Sequence, residues 1–261
     1  MKHIIALLSL VLALTSCSED QDDNLIASNY AAVSLTFTHT WNGETVTNDD
    51  FNDIKFTNAN GEELSISKLK YLISNVSFSN ETGETLTFDA YNLVDVTNGT
   101  NLEFCISDSI PIGNYNNISF TFGFNDEDNI DGLYTDLNAA SWNVPAMLGG
   151  GYHFMQLEGN FITPSKDEAI TPEEISYQYH TIRAADTSVS PVVPEDTSIM
   201  VNLGSKTIRN NTSIQIKMDI SEWFKNPNQW DLQELHSDLM SNYDAQIMMY
   251  QNGQNVFSLA D

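Results

Sequence analysis

The sequence predicts an all-β protein, an antiparallel β-sandwich with short C-terminal helices. Three observations carry that expectation. Apolar and polar residues alternate with period two along several separate stretches, the mark of strands that bury one face. Clusters of Gly, Asn and Asp divide those stretches, as turns do. Helical spacing of apolar residues is confined to the last part of the chain.

Val33, Leu35 and Phe37 alternate with Ser34, Thr36 and Thr38, and His39 continues their face. LKYLISNVSF (69–78) and ETLTFDAYNLVDV (84–96) follow, separated by the turn Asn80-Glu81-Thr82-Gly83. LEFCIS (102–107) alternates too, with Cys105 read as a small buried hydrophobe. Ile118, Phe120, Phe122 and Phe124 alternate with Ser119, Thr121 and Gly123. From Tyr152 to Leu157 a strand is expected, with His153, Met155 and Leu157 on one face. Tyr177 and Tyr179 oppose Ser176, Gln178 and His180, while Ile214, Ile216, Met218 and Ile220 form a last apolar face. Pro, Ser and acidic residues mark 163–174 and 185–198 as loops.

Leu232, Leu235 and Leu239 stand at helical spacing in DLQELHSDLM (231–240). Ser241 or Asn242 suits the cap of a second helix. Asn252-Gly253 either ends that helix with a left-handed glycine or makes a hairpin turn. The lack of alternation from Tyr243 to Met249 favours the helix.

The N-terminus directs the chain out of the cytoplasm. Lys2 and His3 precede the apolar run IIALLSLVLAL, which ends in Leu14-Thr15-Ser16-Cys17. That anatomy is a secretory signal, too short to span a membrane as a mature helix. Its ending resembles a bacterial lipobox, in which Cys17 becomes the lipidated first residue. The acidic tether Ser18-Glu19-Asp20-Gln21-Asp22-Asp23 resembles the surface-export tag of Bacteroidetes lipoproteins. The expected organisation is a signal at 1–16, lipidated Cys17 and tether over 17–29, and one sandwich domain over 30–261. The expected location is the outer membrane, facing the periplasm or the cell surface. With Cys17 lipidated, Cys105 has no cysteine left to pair with.

Of 261 residues, 36 are acidic and ten basic, for a net charge of −26. So acidic a chain repels phosphate backbones, which argues against a nucleic-acid partner. No Gly-x-Ser-x-Gly, His-Glu-x-x-His or phosphate-cradling loop occurs, so a non-enzymatic role is expected. FGFNDEDNIDG (122–132) superficially resembles a calcium loop, but Ile130 and the missing twelfth Glu make a solvated turn the better reading. Asn226-Pro227-Asn228, between Trp223-Phe224 and Trp230, reads as aromatic packing over a core edge.

Four histidines follow the signal: His39, His153, His180 and His236. None forms a close pair, so a metal site must be assembled from separate strands. Imidazole with a soft thioether, as in His153 and Met155, suits copper(I), although methionine also fills cores.

Several segments together resemble the copper-binding MbnP-like family. They are SLTFTH (34–39), LSISKLKYLISNVSF (64–78), YNLVDV (91–96), FTFGFN (120–125), GGGYHFMQLEGNF (149–161), SYQYH (176–180) and MDISEWF (218–224). The resemblance implies a β-sandwich-like periplasmic or lipid-anchored protein that holds one copper ion. In the family's characterised branch, histidines bind the metal beside a tryptophan oxidised to kynurenine by a partner dihaem, peroxidase-type enzyme. By matching motif, His39 and His180 correspond to family histidines, and Trp142 to the oxidisable tryptophan. His153 stands as a second-tier ligand, and His236 matches loosely. SWNVPAMLGGGYHFM departs from the family by inserting Pro and glycines, which would displace Trp142 from the metal. The alternative is a structural or interaction lipoprotein without a metal site.

Overall fold

The computed structural model describes residues 29–163 and 171–260. The signal, Cys17 and most of the tether therefore lie outside the described residues, as does the middle of the loop expected over 163–174.

The chain is an all-β sandwich of two curled sheets. The smaller sheet contains β1 (Tyr30–Trp41), β2 (Glu44–Val46), β7 (Glu103–Pro111), β14 (Thr212–Asp219) and β15 (Phe257–Leu259). The larger contains β3 (Phe56–Thr57), β4 (Glu63–Leu64), β5 (Lys68–Asn80), β6 (Thr85–Asp95), β8 (Gly113–Phe122), β9 (Met155–Ile162), β10 (Glu174–Thr181) and β13 (Ile199–Ile208). Pairings are antiparallel except β1 with β14, which run parallel with Leu35 opposite Ile214. The segment read as a loop after Ala185 instead forms a ribbon of β11 (Ala184–Asp186) and β12 (Val193–Glu195).

Alternation puts Val33, Leu35, Phe37 and His39 of β1 into the core. Aromatic rings join the sheets there. Phe37 meets Tyr71 edge-on at 5.9 Å, Phe257 meets Phe120 at 5.4 Å, and Trp223 lies 5.2 Å from Phe122. Edge-to-face and tilted contacts of this kind suit the ring quadrupole and add to area burial. Trp223, Phe224 and Trp230 are fully buried, which is the packing role expected around Asn226-Pro227-Asn228. Cys105 departs from expectation: it is exposed, because β7 turns Phe104 and Ile106 inward.

The larger sheet carries a second, smaller core on its outer face. Leu72, on the reverse side of β5, packs with Phe124, Leu137, Trp142 and Tyr152. The covering flap runs from the end of β8 to the start of β9 and contains α1 (Thr135–Ala139). Sheet strands covered on both sides are buried throughout, as Tyr71, Leu72 and Ile73 are.

The C-terminal helices divide. α2 (Tyr243–Gly253) forms as expected, capped by the Asn242 side chain, which accepts from the Ala245 amide at 3.1 Å. Gly253 lies inside that helix, and its missing side chain admits Ile199 and Trp223. DLQELHSDLM is a run of turns with a short 3-10 element at Leu239–Ser241, not an α-helix. Side chains and a strand amide take the backbone groups a helical ladder needs. The His236 ring takes the Leu232 carbonyl, the Trp230 indole takes that of Leu235, and the Gln178 amide of β10 takes that of His236, while Glu62 accepts the first-turn amides of Leu232 and Gln233.

Gly159, in the middle of β9, tests this packing. A Cβ there would stand 2.0 Å from the Ser65 carbonyl oxygen, a backbone atom. Gly159→Ala is expected to lower unfolding stability by about 2 kcal/mol or more, read as a lower urea midpoint with an unchanged denaturant slope.

Candidate metal centre

The site begins with three glycines. Gly149, Gly150 and Gly151 all have positive φ, at 94°, 65° and 81°, a run that residues with a side chain rarely adopt. The turn they make folds SWNVPAMLGGGYHFM back on itself. Asn143 bridges Tyr152, and the His153 amide donates to the Trp142 carbonyl at 3.0 Å. The inserted residues thus loop out without separating Trp142 from His153. Their rings lie 5.6 Å apart.

The acidic loop holds this turn in place. Asn129 Oδ1 accepts from the Tyr152 amide at 2.8 Å, and Arg183 Nη2 donates to the Gly149 carbonyl at 3.0 Å while its Nη1 pairs with Asp126. FGFNDEDNIDG is therefore partly a structural brace, not only a solvated turn.

A phase break then sets the direction of His153. Strict alternation predicts His153, Met155 and Leu157 on one face. Instead, β9 begins only at Met155, and Phe154 and Met155 both enter the main core. The bend at Phe154 turns His153 towards the side of β9 that bears Glu158. There its ring meets His180 at 5.4 Å, nearly perpendicular.

Hydrogen bonds fix how each ring presents its nitrogens. His153 Nδ1 lies 2.9 Å from the Trp142 carbonyl oxygen, which can only accept, so Nδ1 carries the proton. His180 Nε2 lies 2.9 Å from Glu158 Oε1 and donates to it. Lys68 Nζ pairs with the same oxygen at 3.0 Å. The His180 hydrogen bond, followed by that of Lys68, holds the Glu158 carboxyl down at about 2, so it is an acceptor. These bonds occupy one nitrogen of each ring and leave the other clear of them: Nε2 on His153 and Nδ1 on His180. Burial drives the His153 pKa down to about 4, so that ring stays neutral. A third soft atom stands close by, since Met240 Sδ lies 3.2 Å from His153 Nε2.

The structure thus brings together His153, His180 and Trp142 among the residues singled out from sequence. His39 has a different partner: its Nε2 lies 3.0 Å from the Tyr71 hydroxyl inside the sandwich. His236 packs its ring 5.8 Å from Phe161 and bonds Leu232 through Nδ1. Met155 is fully buried in the main core. Among the described residues, no group of three or more His, Cys, Asp and Glu side chains is placed to hold a metal. Three donors are reached only by counting the Met240 thioether. Sequence reading missed Met240, Glu158 and Lys68. HSDLM carries Met240 four residues after His236, but the leucine spacing of that stretch gives no sign of a thioether ligand.

Two imidazoles, each with one nitrogen not taken by a carbonyl or carboxylate, and a thioether beside them fit a soft or borderline cation such as copper. A further buried polar atom lies in the same neighbourhood: among the described residues Trp142 Nε1 has no hydrogen-bond partner.

A family model described as MbnP matches residues 30–248, most of the chain, and the chain belongs to that family. Among solved structures, MbnP from Methylosinus trichosporium is similar at 10% identity, over 77% of this chain and 80% of that one, with a TM-score of 0.49. No curated protein matches the chain.

Buried neutral histidines make stability depend on pH. Burial lowers the His39 pKa to about 4, against 6.5 for a free imidazole. Between those values the unfolded chain binds more protons than the folded one, so stability falls as pH falls from about 6.5 towards 4. A shift of that size corresponds to roughly 3 kcal/mol for His39 at the acid end. Urea midpoints are expected to drop across this window, and His39→Gln to make the drop shallower.

Proposed function

We propose that this member of the MbnP family is a non-enzymatic, copper-binding protein that holds the ion between His153 and His180. Family membership supports a metal-handling role in general. The observation that carries the specific assignment is the contact between one imidazole just before β9 and one on β10, each with the nitrogen opposite its hydrogen bond left for a ligand. In this reading His153 is a principal ligand, and His39 and His236 are structural.

Each ligand has an outer partner that sets its tautomer, which is how metal-binding histidines are commonly oriented. For His153 the partner is the Trp142 carbonyl. For His180 it is Glu158, itself held by Lys68. Copper, when bound, supplies a centre that can gain or lose one electron. Trp142, packed against His153, is the residue on which kynurenine formation by a dihaem, peroxidase-type partner is proposed. The same proposal places the protein outside the cytoplasm, anchored in the outer membrane through lipid on Cys17.

Copper titration of the lipid-free protein tests the assignment. His153→Ala and His180→Ala are each expected to weaken binding by a hundredfold or more, on the order of one lost ligand. His39→Ala and His236→Ala, if folded, are expected to bind as the wild type does. The opposite pattern, with His39 essential and His153 dispensable, removes this site. Glu158→Gln is expected to weaken binding by about 10- to 100-fold. A wild type without measurable copper affinity would leave the second reading, an anchored structural or interaction lipoprotein. Mass spectrometry of native protein reads the state of Trp142, and lipid labelling abolished by Cys17→Ala reads the anchor.

A further inference from the structure

We propose that Met240 is a third ligand, whose thioether makes the His153–His180 centre selective for copper(I). The inference rests on the copper reading above and adds a donor from a different part of the chain.

The contact between Met240 Sδ and His153 Nε2, at 3.2 Å, is not an ordinary hydrogen bond. The His153 proton is committed to Nδ1 by the Trp142 carbonyl. Nε2 then carries a lone pair, and thioether sulfur has no proton to give. Both atoms are electron-pair donors directed at each other, close enough for the two to hold one soft cation in common.

The position of Met240 is built, not incidental. Asp238 adopts a left-handed backbone, with φ of 57°, and starts the 3-10 turn Leu239–Ser241. The buried side chain of Gln246, on α2, then ties this turn to the strand that carries His180. Its Nε2 donates to the Leu239 carbonyl at 3.0 Å and to the His180 carbonyl at 2.8 Å. Its Oε1 accepts from the Ile182 amide at 2.9 Å. One amide group thereby fixes the main chain beside the thioether relative to the main chain of the second imidazole. Thioether donors favour copper(I) over copper(II) and over harder divalent ions.

The test compares the full lipid-free chain with Met240→Leu, a substitution of similar volume and shape. Copper(I) affinity is measured by competition with a chromogenic copper(I) chelator, and copper(II) affinity with a copper(II) chelator. Copper X-ray absorption of the copper(I) form reads the ligand atoms directly. Expected are a sulfur scatterer in the wild type that disappears in Met240→Leu, a loss of copper(I) affinity of about tenfold or more, and a copper(II) change within about twofold. An unchanged thermal midpoint shows that the variant is folded. Equal copper(I) affinity in both proteins, or a wild-type spectrum with nitrogen and oxygen neighbours alone, overturns the role of Met240 and leaves the two-histidine centre standing. A wild type that binds neither oxidation state overturns the copper reading itself.

Discussion

The arrangement depends on a change of strand phase at Phe154. Side chains along a strand alternate between faces, so a residue's face is fixed unless the alternation is interrupted. Here Phe154 and Met155 both enter the core, and His153 leaves on the other side. The three left-handed glycines before it make that bend sterically possible, and the Trp142 carbonyl binds both the amide and the ring of His153. Without the interruption, His153 would be another core imidazole beside Met155.

Electrostatics around the pair follow from burial more than from net charge. The chain is strongly acidic, yet His153 is nearly enclosed and kept neutral by desolvation. Among the described residues the carboxylate in direct contact with the pair is Glu158, which is shared with Lys68, and this limits the negative charge near His180. A neutral His153 with its Nε2 lone pair directed at a thioether suits a soft cation. The acidic surface adds a weak, unselective attraction for cations of any kind. Selectivity must come from the donors.

The two buried histidines illustrate how similar environments give different roles. His39 and His153 are both buried and both held neutral. His39 spends its Nε2 on the Tyr71 hydroxyl inside the sandwich, so its hydrogen bond joins the two sheets. His153 spends only Nδ1 on the protein and directs Nε2 at a sulfur. The difference lies in the partners available at each nitrogen and not in accessibility.

Much of the sandwich was legible in the sequence because alternation and turn residues are local signals. β1, β5, β8 and β14 follow their apolar patterns, and Asn242 caps α2 as its side chain suggests. The local signal failed where a distant group intervened. Gln178 and Trp230 take the His236 and Leu235 carbonyls from the expected helix at 231–240, and the parallel pairing of β1 with β14 joins residues about 180 positions apart. The family resemblance also came from sequence, through the order of several individually weak segments. The choice among histidines did not. His153, His180 and Met240 come from three segments whose meeting depends on a strand bend, a strand pairing and one buried glutamine. Spacing along the chain carries no record of such a meeting, because ligand geometry is a property of through-space distance.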